Sequence, residues 1–185
     1  MKRNWIIVVL LIIAAGAVVY NQAGENIQAV FMQEQPLPTE TGAKEGLLAP
    51  SFTLKAMEED TSYSGGGQRD KAMLINFWAS WCEPCKLEAP ELSKLASAYP
   101  DELDIYGINV SKYDNAKKAQ QFVQDFALQY PVLVDPDGEV YEDLYKGKVF
   151  PMNVLIDRNG VIQEIILGAP EPEDLHKKVA KLVKQ

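Results

Sequence analysis

The sequence predicts an α/β fold, a central mixed β-sheet flanked by helices in three layers. Three observations point to it. Ala72 to Trp78 (AMLINFW) is a nearly continuous apolar run of strand length, as a central strand covered on both faces is. Strand-like and helix-like segments alternate along the chain from Leu47 onward. A strand–turn–strand pattern follows, with Met152 to Ile156 and Val161 to Leu167 flanking Asp157-Arg158-Asn159-Gly160.

The elements are expected in the following order. Ser51 to Leu54 is a short strand candidate, and Gly65-Gly66-Gly67 marks a loop. After the Ala72 to Trp78 strand a helix runs from about Cys82 to Tyr99. Asp104 to Val110 is a second buried strand. Asp114 can cap a helix ending near Leu128, with Ala119, Phe122, Val123 and Phe126 at helical spacing toward the core. Pro131 to Val134 is a short strand. Asp135-Pro136-Asp137-Gly138 is a turn, because Pro presets φ and Gly accepts a left-handed backbone, and a short helix through Tyr145 follows. Glu171 to Val183 is the closing helix, carrying His176 on its surface with no catalytic role.

The 185 residues correspond to one domain with a leading segment. An apolar fraction of 47% and a charged fraction of 24% exclude wholesale disorder. A net charge of -8 argues against nucleic acid and against a polybasic grip on anionic lipid. Two cysteines exclude a multi-bridge scaffold.

The N-terminus speaks to compartment. Residues 1–4 form a short start with Lys2 and Arg3, expected to be cytoplasmic. Trp5 to Tyr20 is free of charge, and at about 1.5 Å per residue it covers roughly 24 Å. With its polar, uncharged flanks it approaches a hydrocarbon core of about 30 Å. Residues 5–22 are therefore expected to be a single-pass signal-anchor. The domain then lies on the extracytoplasmic face of the cell membrane. A cleaved signal peptide is the rival, with Ala15-Gly16-Ala17 as its small-residue site. Residues 23–46 read as a flexible linker and 47–185 as the folded domain. From Asn21 onward, 16 basic against 26 acidic residues leave -10.

The chemistry lies at Trp81-Cys82-Glu83-Pro84-Cys85. Both cysteines of the chain sit three apart, after a buried strand and at a helix start. Unsatisfied N–H groups and the positive end of the helix macrodipole stabilise a thiolate there. Cys82 is expected to be the exposed nucleophile, and Cys85, one turn in, the resolving thiol. The pair cycles between dithiol and disulfide through a mixed disulfide. Pro84 is tolerated in the first turn, where its missing N–H would be orphaned anyway. Glu83 opposes thiolate formation and leans the pair toward reduction. Trp81 flanks the disulfide as an apolar contact surface, or simply packs. Zinc needs about four ligands, and the remaining soft donor, His176, lies far along the chain, so no metal is expected. A structural staple is the competing reading, yet bridging so short a loop stabilises little.

These residues carry a resemblance. APSFTL, NFWASWCEPC, KLEAPEL and the later Pro151 to Gly160 pattern (Pro-x-x-x-Leu-Ile-Asp-x-x-Gly) resemble the thioredoxin fold, and within it the TlpA/ResA-like branch. That branch comprises membrane-anchored thiol–disulfide oxidoreductases. The resemblance covers about residues 47–185 and implies a thioredoxin-like three-layer fold with N-terminal extension strands. It implies no cofactor beyond the redox-active Cys82–Cys85 disulfide. It also implies a tuning and proton-moving role for Glu88, which shares a helix face with Cys85. The other reading of Glu88 is an ordinary solvated glutamate. Asn76 stands where many thioredoxins carry a buried aspartate. An amide cannot relay protons, which leaves that work to Glu88 or to water. The resemblance makes Phe150-Pro151 a cis-proline loop facing the cysteines and docking the client chain. The flanks Phe150, Met152 and Asn153 depart from the family's small polar neighbours and suggest a bulkier, more apolar rim.

The implied function is reduction of disulfides in client proteins, for example apocytochrome c during cytochrome c maturation. A CcdA-like membrane partner would supply electrons, and the chain is expected to be monomeric. Disulfide donation and a spore-envelope role are variants of that reading. A copper-binding module using the same two thiols, or an inert structural domain, are readings of other classes.

Overall fold

The computed structural model describes residues 37–185 of the chain. The expected anchor, the cytoplasmic start and most of the linker lie outside these residues. Among the described residues no helix is long and apolar enough to cross a membrane. The elements are β1 (Phe52–Ala56), β2 (Ser62–Gly65), β3 (Ala72–Trp78), α1 (Glu83–Ala98), β4 (Leu103–Asn109), α2 (Ala116–Asp125), β5 (Val132–Val134), β6 (Met152–Ile156), β7 (Ile162–Leu167) and α3 (Pro172–Leu182). A single 3₁₀ turn (Ser111–Tyr113) follows β4, and a wide π-type turn (Glu139–Leu144) follows β5.

One seven-stranded sheet has the order β2-β1-β5-β4-β3-β6-β7. β3, β4 and β5 are parallel, and antiparallel strands extend the sheet on both sides. All seven residues of β3 are buried, because both faces are covered. Leu74 and Trp78 point toward a core shared with Leu92 and Leu95 of α1, Phe122 of α2 and Val179 of α3. Met73, Ile75 and Phe77 point the other way, toward Phe52, Tyr141 and Tyr145. The flanking layers are therefore unequal, with three helices on one face and the Glu139–Leu144 turn plus incoming chain on the other.

Three sequence expectations shift. The β2 strand was not foreseen. Its residues SYSG are polar and lie at the sheet edge, so no apolar alternation marks them. Helix α2 is capped by Asn115, whose Oδ1 accepts the N–H groups of Lys117 and Lys118, and not by Asp114. The last residues of the expected linker are also drawn onto the domain. Gly42 N–H donates to Leu48 C=O, and Gly46 N–H to Ile162 C=O at 2.8 Å. Glu45 meanwhile accepts the N–H of Ile165. Segment 40–48 thus covers the β7 side of the sheet, whose polar edge would otherwise lack partners. The turn before Glu139 forms as expected, with Gly138 at φ +75°.

Candidate active site

β3 ends at Trp78, and Ala79 to Trp81 carry the chain to the start of α1. Cys82 is the N-cap residue, and its Sγ accepts the N–H of Cys85 at 3.2 Å. The helix start therefore directs an N–H at this sulfur, as the sequence implied. Cys82 and Cys85 form a disulfide with Cα atoms 5.3 Å apart. The expected difference in exposure is not seen in this form. Cys82 is 4% exposed and Cys85 3%. With its sulfur bonded to Cys85, Cys82 joins the same apolar cluster as Leu92, Trp78 and the half-buried Phe150.

The loop ahead of Cys82 is braced by Asp114, which sequence reasoning assigned to helix capping. Its carboxylate accepts the backbone N–H of Ser80 (2.6 Å), the Ser80 hydroxyl (2.5 Å), an Asn109 amide N–H (2.8 Å) and the N–H of Asn115 (2.7 Å). Helix signals cannot reveal this, because Ser80, which takes two of these bonds, lies 34 residues away in sequence.

The rim of the site is apolar. Trp81 is 58% exposed and donates its indole N–H to Tyr113 C=O at 2.8 Å. Its ring meets Phe150 edge-on at 5.8 Å. Phe150 in turn stacks on Tyr141 with centroids 4.8 Å apart. The Phe150-Pro151 peptide is cis. Tyr141 donates its hydroxyl to Val149 C=O, and Gly168 donates its N–H to Pro151 C=O. Glu83 and Pro84 are exposed on the first turn of α1. Glu83 does not stand alone, because Lys86 Nζ lies 2.5 Å from it. The ammonium offsets the carboxylate, so Glu83 gives weaker grounds for a reducing pair than its sequence position suggested.

Glu88 is not a solvated glutamate. It is 4% exposed, three residues past Cys85 on α1. Asn76 donates one amide N–H to Glu88 Oε2 (2.9 Å) and the other to Asn153 Oδ1 (2.9 Å). Asn153 donates to Glu88 Oε1 at 2.7 Å. Burial pushes the Glu88 carboxyl up to about 7, against the pull of the two amides. Asn76 and Asn153 are cross-strand partners on β3 and β6, so sheet register builds this group. On the other side Asn76 pairs with Gly107 of β4. A Cβ at Gly107 would lie 2.8 Å from the Tyr130 ring. Glycine there lets the buried Tyr130 close over the sheet.

A cysteine pair at a helix N-terminus, facing a cis-proline loop on this sheet, defines a thiol–disulfide oxidoreductase of thioredoxin-like fold. The chain belongs to the Redoxin family, whose model matches residues 44–183. It is 31% identical over 180 residues to the thioredoxin-like protein YneN of Bacillus subtilis, covering 97% of this chain and 98% of that one. It is 37% identical over 127 residues to the thiol-disulfide oxidoreductase ResA of Oceanobacillus iheyensis, covering 67% and 65% of the two chains. A Chlorobium tepidum structure named for thiol:disulfide interchange (DsbE) matches with a TM-score of 0.68 at 24% identity. It covers 77% of this chain and 99% of that one, and at this identity the likeness speaks to the fold.

Proposed function

We propose that the chain is a membrane-tethered reductase of client-protein disulfides, working on the extracytoplasmic face. The observation that carries this reading is the buried Glu88 carboxyl one turn past Cys85, held at about 7. An ionised carboxylate there disfavours a neighbouring thiolate and accepts the proton of a thiol. A less stabilised thiolate corresponds to a more reducing pair.

In the reducing direction, Cys82 thiolate attacks one sulfur of the client disulfide. The client S–S bond breaks, a Cys82–client mixed disulfide forms, and the other client sulfur leaves as thiolate. Cys85 passes its proton to Glu88, and its sulfur attacks Cys82 Sγ. The Cys82–Cys85 bond forms and the second client thiolate departs. Two electrons move to the client, and its two thiolates take up protons, one of which Glu88 can return through solvent. Trp81, Glu83, Pro84, Phe150 and Pro151 form the docking rim. With the Val149 and Pro151 carbonyls already engaged, Phe150 supplies the backbone groups for the client.

Residues 5–22 serve as the anchor in this reading, and a CcdA-like membrane protein re-reduces the pair. An apocytochrome c with oxidised haem-binding cysteines fits as client, and the domain works as a monomer without a metal. The test is the reduction potential of the full chain in thiol redox buffers. A value near the thioredoxin figure of about -270 mV supports the reductase, whereas one near about -120 mV makes the protein a disulfide donor. Stoichiometric Cu(I) binding by the reduced chain without reductase activity would favour the copper module instead.

A further inference from the structure

In the sequence Asn153 is only a departure beside the proline loop. The structure places it in the same buried group as Glu88. Its Nδ2 donates to Glu88 Oε1, while its Oδ1 accepts from Asn76. Asn76 spends its second N–H on Glu88 Oε2. Each carboxylate oxygen therefore receives one amide N–H, and the amide–amide bond fixes which way Asn153 points. An Asn is free to flip unless its oxygen and nitrogen have distinct partners. Here both do. Asn153 is 0% exposed and Asn76 3%, so bulk solvent does not reach either amide.

We propose that Asn153, oriented by Asn76, is a positioning residue for thiol–disulfide exchange, because it holds Glu88 as a carboxylate aligned to take the Cys85 proton. This rests on the role of Glu88 given above. The physics is asymmetric. A protonated Glu88 must place a hydrogen on one oxygen, where an amide N–H already points. Donor-only surroundings favour the ionised form. The sheet beneath adds no charge, since Ala72, Leu74, Asn76 and Trp78 of β3 and Asn153 and Leu155 of β6 form this face. The titratable groups around Glu88 are Cys85 and Cys82 at the start of its helix, and Tyr130 from the segment before β5, whose hydroxyl is held protonated by its burial first and by the Glu88 charge second. With a neutral sheet face and a buried tyrosine, the two amides are what sustains the charge.

The test uses the full chain with the pair reduced, and follows alkylation of the thiols by iodoacetamide against pH. The Glu88-linked inflection should disappear in Glu88→Gln. In Asn153→Ala it should move up by about one pH unit, the size expected from losing one charged hydrogen bond. Asn153→Thr retains a donor and should shift it less. Asn153→Ala in the Glu88→Gln background should change nothing further. If Glu88→Gln leaves the profile intact, the role of Glu88 itself fails. If Glu88→Gln removes the inflection but Asn153→Ala does not move it, Glu88 stands and the proposal for Asn153 is overturned. A folding defect in the variants does not block the test. In the unmutated chain the Asn153 side-chain amide resonances should titrate with the midpoint of the Glu88 carboxyl, and amide signals blind to that titration also overturn it.

Discussion

The carboxylate of Asp114 holds the backbone N–H of Ser80 at 2.6 Å, across 34 residues of chain. This contact, with those to the Ser80 hydroxyl and Asn109, joins the loop before Cys82 to the end of β4. Asp114→Ala strips a charged acceptor from several donors at once. It should cost about 2 kcal/mol of stability, read from the urea midpoint at unchanged slope. It should also slow the reaction of Cys82, whose loop loses its brace. An unchanged midpoint would mean that solvent replaces these bonds freely.

Glu88 should make stability fall with rising pH. Its carboxyl is raised from 4.5 to about 7 in the folded chain. Folding therefore gains from the bound proton below about pH 4.5, and the gain is lost as pH climbs through about 7. The loss amounts to about 3 kcal/mol in all. Glu88→Gln removes this component, so the stability difference between the two proteins should vary with pH over that window. Parallel curves would contradict a raised carboxyl.

The two cysteines should separate by role. Cys85→Ser leaves an attacking thiol with no resolver, and incubation with a disulfide client should trap a mixed disulfide at Cys82, visible by mass spectrometry. Cys82→Ser should trap little, because the remaining thiol sits one turn deeper in the helix. Equal trapping would show that exposure in the reduced protein does not follow position on the helix.

Trp81 should matter to clients and little to folding. Its ring is 58% exposed, with one hydrogen bond and one edge contact. Trp81→Ala should change stability by no more than about 0.5 to 1 kcal/mol. Reduction of a protein disulfide should slow about five- to tenfold, as for losing one aromatic contact, while a small disulfide is affected less. Equal slowing of both would place Trp81 in the chemistry instead of the docking rim.

Gly107→Ala should be costly. The new Cβ would sit 2.8 Å from Tyr130 and 3.3 Å from the Trp78 indole nitrogen. Overpacking of this kind costs about 1–3 kcal/mol. A thermal melt at the wild-type temperature would show that Tyr130 yields without penalty.

Much of this was legible in local pattern. β3 is apolar except for Asn76, so its boundaries are read directly from the sequence. The CxxC and the Pro in the first turn follow from short motifs, and the cis peptide before Pro151 from the family resemblance. Segments whose meaning depends on distant partners were not legible. Asp114 looks like a cap because a cap is the local use of an aspartate before a helix, yet its partners are Ser80 and Asn109. Asn153 reads as a strand residue until β6 is set beside β3 in register with Asn76. β2 has no apolar face to announce it, and segment 40–46 is polar because it meets the sheet through hydrogen bonds, from the Gly46 backbone and the Glu45 carboxylate.

The Cys82–Cys85 bridge encloses only a three-residue step at one end of one helix. Opening so small a ring releases little chain entropy. The seven-stranded scaffold therefore stands whether the bond is made or broken. The protein can be charged and discharged many times, like a rechargeable cell whose casing does not swell. Free energy from thiol–disulfide exchange is then not dissipated in refolding the carrier.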